Sequence, residues 1–144
     1  MNKDKFYMEF AKLASMKSKD PSTKVGAVLV NDKRILSIGY NGPPRAFPDE
    51  MLFSNDPQLD IKDKNNYMVH AEQNAVLNYG GSLKDLQDAT LYVTVSPCNE
   101  CAKILIQLGI STVVYLEEYH RTEIWNLSKQ LFDLTGVKYY KFEE

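Results

Sequence analysis

Two short stretches of the chain gather the side chains best able to do chemistry: His70-Ala71-Glu72 and Pro97-Cys98-Asn99-Glu100-Cys101. One imidazole and two thiolates make a Cys2His set for Zn2+, an ion that takes nitrogen and sulfur ligands in tetrahedral sites. Cysteines at i and i+3 face the same side of a helix, and both a helix N-terminus and a bound cation favour thiolate over thiol. Three protein ligands leave a fourth position for water, whose pKa zinc lowers to about 7. Glu72, two residues from the histidine, can then carry protons while hydroxide adds to an aromatic ring carbon and an amino group leaves as ammonia. Alone, the Cys-x-x-Cys reads as a redox pair or structural half-site, and Glu72 as a solvated helix-start carboxylate. The upstream His-x-Glu and the proline before Cys98 turn the reading towards a catalytic ion.

Each stretch follows an extended segment and opens a helix, so two helix N-termini can aim side chains into one crevice at strand ends. Phe6, Phe10, Leu13 and Ala14 recur at helical spacing and predict an amphipathic helix from Lys3 to Lys17, broken across Ser18 to Ser22 by Pro21. Apolar runs at Val25 to Val30 and Ile35 to Tyr40 flank Asn31-Asp32-Lys33-Arg34 and predict a hairpin, which Asn41-Gly42-Pro43-Pro44 ends. Residues 45–66, with Pro48, Asp49, Asn55, Asp56 and Pro57, read as a long loop, often a functional feature in a compact domain. Then come a helix from Val69 to Tyr79 closed by Gly80-Gly81, a strand Thr90 to Val95, a helix Cys98 to Leu108 closed by Gly109, and a strand Thr112 to Leu116. Ile124, Leu127, Leu131 and Leu134 mark a last helix stopped by Gly136, before a strand Val137 to Phe142. Trp125 and the pair Tyr139-Tyr140 read as core or subunit contacts. The order predicts a three-layer α/β/α sandwich around a central mixed sheet of about five strands.

The chain has 144 residues, 44% hydrophobic and 25% charged, which predicts one ordered domain spanning 1–144. Seventeen lysines and arginines against nineteen acidic residues give a net charge of -2, which argues against a broad surface for long nucleic acids and leaves room for a small anionic ligand. No apolar run approaches a bilayer span and Met1-Asn2-Lys3-Asp4-Lys5 leads into no signal-peptide stretch, so no membrane partner and a cytoplasmic location are expected.

His-x-Glu followed by Pro-Cys-x-x-Cys is the signature of zinc nucleobase deaminases. Beyond it, the chain resembles the deoxycytidylate (dCMP) deaminase family over nearly its whole length: Ser18-Lys19-Asp20-Pro21, Val25-Gly26-Ala27, Gly39-Tyr40-Asn41-Gly42-Pro43, His70 through Ala75, Pro97 through Lys103, and Tyr119-His120. The resemblance implies a cytidine deaminase-like fold and conversion of dCMP and water to dUMP and ammonia, supplying thymidylate synthesis. It implies that His70, Cys98 and Cys101 hold catalytic zinc and that Glu72 shuttles protons. It further implies that Asn41 holds the deoxyribose hydroxyl, the Ala71 amide the pyrimidine carbonyl, and the Ser96 carbonyl the exocyclic amine, with Tyr119 near the 5′ phosphate. Asn41 reads equally as a turn residue, Tyr119 as a strand-end cap and His120 as a surface histidine.

Lys24 and Arg45 flank the strand and loop that carry Asn41 and are the sequence's candidates for neutralising phosphate, although each also reads as an ordinary surface charge. Some family members bind a second, structural zinc, but the loop at 45–66 has no Cys or His, so one zinc per chain is expected. The resemblance also implies a homohexamer with dCTP as activator and dTTP as inhibitor, a nucleoside triphosphate effector bringing Mg2+ with it; for a viral chain the location would be host cytoplasm. Alternatives are a bifunctional dCMP/dCTP deaminase and, against the net charge, a deaminase acting on a base in tRNA or single-stranded DNA.

Overall fold

A computed structural model describes residues 2–52 and 63–144. The predicted turn residues Asn55, Asp56 and Pro57 lie outside the described residues. The helices are α1 (Lys3–Ser15), α2 (Ala71–Asn78), α3 (Asn99–Leu108) and α4 (Thr122–Thr135), and the strands β1 (Gly26–Asn31), β2 (Arg34–Tyr40), β3 (Thr90–Val95), β4 (Thr112–Glu117) and β5 (Lys138–Lys141). Single turns of 3-10 helix at Asp49–Met51, Lys64–Asn66 and Leu83–Leu86 add detail that short, aperiodic sequence does not announce.

The strands form one sheet in the order β2-β1-β3-β4-β5. β1 pairs antiparallel with β2 and β3, whereas β3, β4 and β5 run parallel, so the sheet is mixed as expected. The hairpin closes through Asp32 and Lys33, both at positive φ (51° and 64°), the pattern of a type I′ turn whose twist suits paired strands. Successive strand residues face opposite sides. Ala27, Leu29, Leu91, Val93, Val113 and Tyr115 pack with α2, α3 and α4, while Val28, Val30, Tyr92 and Val114 pack with Tyr7, Met8 and Ala11 of α1. Thus three helices cover one face and α1 the other. Gly109 and Gly136 end α3 and α4 at φ 84° and 81°, the left-handed conformation that glycine adopts without a Cβ penalty.

Two helices present a different stripe from the one their leucines suggest. On α1, Phe6 and Leu13 are exposed, and the buried residues are Tyr7, Met8, Ala11 and Ala14. The sheet dictates this: a Cβ on Gly26 would come 1.9 Å from the Ala11 carbonyl oxygen, so α1 lies on the strand through small side chains. On α4, Leu127 and Leu134 are exposed and Trp125, Ser128 and Phe132 are buried, a stripe that includes a serine. Trp125 belongs to the core, edge-on to Tyr115 and Tyr139; Tyr140 is partly exposed and donates its hydroxyl to Asp4.

Candidate active site

Helix α2 is stapled to the edge strand β2. Ser37 Oγ donates to the Ala75 carbonyl, and Asn74 and Asn78 donate their side-chain amides to the carbonyls of Tyr40 and Ile38. Gly39 permits the approach, since a Cβ there would sit 2.3 Å from the Ala75 nitrogen. A backbone bridge between Gly42 and Val69 then sets the Asn41 turn beside His70.

His70 is the N-cap of α2, with its backbone N–H donating to Gln73 Oε1 at 2.8 Å. Cys98 is the N-cap of α3, reached directly from the C-terminal end of β3, and Cys101 lies in the first turn. The two helix tips converge. His70 Nδ1 is 3.2 Å from Cys101 Sγ and 3.5 Å from Cys98 Sγ, and all three ligand atoms lie within 4.8 Å of one another. Zinc bonds of about 2.0 Å to nitrogen and 2.3 Å to sulfur in tetrahedral geometry require nitrogen–sulfur separations of about 3.5 Å. The cluster fits. It is the one metal-compatible group of its kind among the described residues.

Electrostatics point the same way. A hydrogen bond from the Cys101 thiol, opposed by burial and assisted by His70, brings Cys98 down to about 4. Cys101 is pushed up because its thiol serves that bond and is buried. His70 is raised by its hydrogen bond to Cys98, against the effect of burial. With Cys98 held as thiolate and Cys101 as its thiol donor, the two sulfurs and the imidazole form a set that zinc would complete by displacing the Cys101 proton. Glu72, in the first turn of α2 and 5% exposed, is raised to about 7 by burial, with His70 pulling the other way.

A cleft of about 290 Å³ opens over the cluster. Asn41, His70, Ala71, Glu72, Ser96, Cys98 and Tyr119 all line it, so most of the sequence-predicted site residues do meet. Asn41 also braces the backbone, because its Oδ1 accepts the Val25 N–H and its Nδ2 donates to the Thr23 carbonyl, both at 2.9 Å. The turn reading and the cleft reading therefore coexist. Ser96 Oγ accepts the Tyr119 N–H at 2.7 Å, which ties the loop after β4 to the strand end before Cys98. Tyr119 stacks on His120 at 4.9 Å between ring centroids, and both residues line the cleft, His120 being exposed as a surface histidine would be.

The two phosphate candidates are placed differently. Exposed Lys24 does not line the cleft, and Arg45 lines a separate depression with Lys17 and Lys19. Proximity to Asn41 in sequence did not bring either side chain into the lining of the cleft. Among the described residues the lysine that lines the cleft is Lys64, whose Nζ lies 2.9 Å from each Asp20 carboxylate oxygen and bonds Ser22 Oγ. Lys64 stands in a stretch without periodicity, and its partner is 44 residues away; the Ser-Lys-Asp-Pro motif containing Asp20 is the one signal that pointed there.

Comparison with known proteins agrees with this geometry. Residues 1–117 match the family model of the cytidine and deoxycytidylate deaminase zinc-binding region. The deoxycytidylate deaminase of Mus musculus is 39% identical over 140 aligned residues, covering 95% of this chain and 78% of that protein, and that of Homo sapiens is 37% identical with the same coverage. The crystal structure of dCMP deaminase from the cyanophage S-TIM5, in complex with dCMP and dUMP, superposes with a TM-score of 0.77 at 33% identity, covering 99% of each chain. Together with the converged ligand cluster, a match over most of the chain establishes that this protein belongs to the cytidine and deoxycytidylate deaminase family.

Proposed function

We propose that this protein hydrolyses the exocyclic amino group of dCMP to give dUMP and ammonia. The observation that carries the reading is the placement of Glu72: a carboxyl 5% exposed, in the first turn of α2, lining the same cleft as His70 and Cys98 of the metal-compatible cluster. Zinc held by those three side chains would supply a water activated near neutral pH. Glu72, whose carboxyl is held by burial above the ordinary carboxylate range, would protonate the ring nitrogen and then deliver a proton to the departing amine. The Ala71 N–H belongs to the first turn of α2, where backbone donors lack helical partners, and is free to meet the pyrimidine carbonyl. The Ser96 carbonyl would accept from the amine, and Asn41 would meet the sugar hydroxyl with the hydrogen-bonding capacity its backbone contacts leave over. Tyr119 and His120 wall the cleft, and Lys64, rather than Lys24 or Arg45, supplies its positive charge for the phosphate.

The relatives named deoxycytidylate deaminase support dCMP as substrate. Family resemblance extends the proposal to a homohexamer in the cytoplasm, activated by dCTP with Mg2+ and inhibited by dTTP, with dUMP passing to thymidylate synthesis. Among the described residues no helix is long and apolar enough to cross a membrane. Zinc-loaded protein incubated with dCMP should lose cytosine absorbance and release dUMP and ammonia in equal amounts. Absence of turnover at full zinc occupancy would overturn the proposal.

A further inference from the structure

Asn41 is gripped by a stretch of chain that needs anchoring itself. Its Oδ1 accepts the Val25 N–H, its Nδ2 donates to the Thr23 carbonyl, and its own N–H donates to the Val25 carbonyl at 3.2 Å. The two side-chain bonds fix the amide one way round, because a flipped amide would set oxygen against the Thr23 carbonyl and N–H against N–H. One Nδ2 proton and one Oδ1 lone pair are left over. Residues 21–24 are exposed and belong to no helix or strand, so neither burial nor a ladder sets where the Thr23 carbonyl stands. Two side chains of the described residues anchor the stretch. Downstream, Thr94 Oγ1 accepts the Gly26 N–H at 3.0 Å. Upstream, Asp20, 3% exposed, accepts on Oδ1 the N–H groups of Ser22 at 2.9 Å and Thr23 at 3.1 Å and the Ser22 hydroxyl at 3.0 Å. Burial would raise this carboxyl, but Lys64 and the Ser22 and Thr23 donors hold it lowered, so it stays an ionised acceptor at neutral pH.

We infer that Asp20 is a positioning residue for the sugar contact: by fixing Thr23 it fixes the Asn41 amide, and with it the discrimination between a sugar that carries its hydroxyl and one that lacks it. The inference rests on the deaminase reading and the Asn41 contact proposed above, and adds the group that holds that contact in place. Asp20 acts through Thr23 and need not touch the substrate. A carboxylate suits the task. As an acceptor-only group it takes the Ser22 and Thr23 donors and the Lys64 ammonium together, and bonds to an ionised acceptor are roughly twice as strong as neutral ones. Alanine would take none of these donors. Asparagine would keep one acceptor oxygen, while its NH2 group would face either Lys64 or the Ser22 and Thr23 donors.

The test measures kcat/KM for dCMP and for 2′,3′-dideoxycytidine 5′-monophosphate, which lacks the sugar hydroxyl, in zinc-loaded wild type, Asn41→Ala, Asp20→Ala and Asp20→Asn. The ratio of the two values is the hydroxyl factor, in which effects common to both substrates cancel. Wild type should show a factor of about tenfold, and Asn41→Ala a factor within about twofold of one. Asp20→Ala should fall to the Asn41→Ala level while its value for the dideoxy substrate stays within about threefold of wild type. Asp20→Asn should lie between, about threefold below wild type. A general structural role would lower both substrates together and leave the factor at its wild-type value. That result in either folded, zinc-loaded Asp20 variant would overturn the inference, and Asp20→Asn carries the test if Asp20→Ala does not fold. A wild-type factor near one would also overturn it, by removing the Asn41 contact. Wild type inactive on dCMP would instead overturn the deaminase reading itself.

Discussion

His70 Nδ1 stands 3.2 Å from Cys101 Sγ across 31 residues of sequence, because the N-termini of α2 and α3 meet at the same end of the sheet. A contact of that length places Cys101 Sγ where it could share a metal ion with His70 Nδ1. Cys101→Ser should lose stoichiometric zinc and lower the melting temperature, since metal binding and local folding are coupled. Metal analysis after gel filtration checks this; one zinc per chain in the variant would remove Cys101 from the ligand set.

Gly39 is where β2 admits α2, and its absent side chain is what lets His70 reach the cleft. A Cβ would press on the Ala71 oxygen at 2.4 Å and the Ala75 nitrogen at 2.3 Å, both rigid backbone atoms. Gly39→Ala should cost about 3 kcal/mol in urea unfolding and weaken zinc retention, as overpacking does when backbone must move. A variant as stable as wild type would mean that α2 sits farther from the sheet than the structure has it.

Ser128, fully buried on α4, donates to the Pro97 carbonyl at 2.8 Å and so holds the residue before Cys98. Ser128→Ala leaves that buried carbonyl without its side-chain donor and should cost about 1–2 kcal/mol. Zinc release to a chelator should also quicken. If stability and release rate both stay at wild-type values, the bond does not hold the turn.

Asp20 links acidity to stability. Burial pushes its folded-state pKa up, but Lys64 and the Ser22 and Thr23 donors outweigh burial and leave it lowered. Its contribution is therefore complete above the unfolded value of about 4 and fades as pH falls through the folded value. The difference in unfolding free energy between wild type and Asp20→Asn should favour wild type at pH 7, by about 1–2 kcal/mol, and shrink below about pH 4. A difference that grew on acidification would reverse the sign and contradict the ion pair.

Much of the fold and the metal cluster was legible because the signals are local. Short apolar runs marked β1 and β2, Gly109 and Gly136 marked helix ends, and His-x-Glu with Cys-x-x-Cys marked two helix tips. What was not legible depends on partners distant in sequence. Phe6 and Leu13 form an apolar stripe as regular as the buried one beside it, and the close approach of Ala11 to Gly26 decides between them. Ser128 carries no hydropathy signal although it lies on the buried side of α4. Lys64 gains meaning from Asp20, 44 residues away, whereas Lys24 and Arg45 drew attention through adjacency in sequence that the folded chain does not turn into adjacency at the cleft.

In the proposed reaction Glu72 is the group on which the chemistry turns, and Glu72→Gln preserves its shape while removing its capacity to carry protons. The decisive measurement is the kcat of this variant on dCMP at matched zinc content. Zinc should remain at one ion per chain while kcat falls by about 10²–10⁴-fold; turnover within about threefold of wild type would show that another group moves the protons.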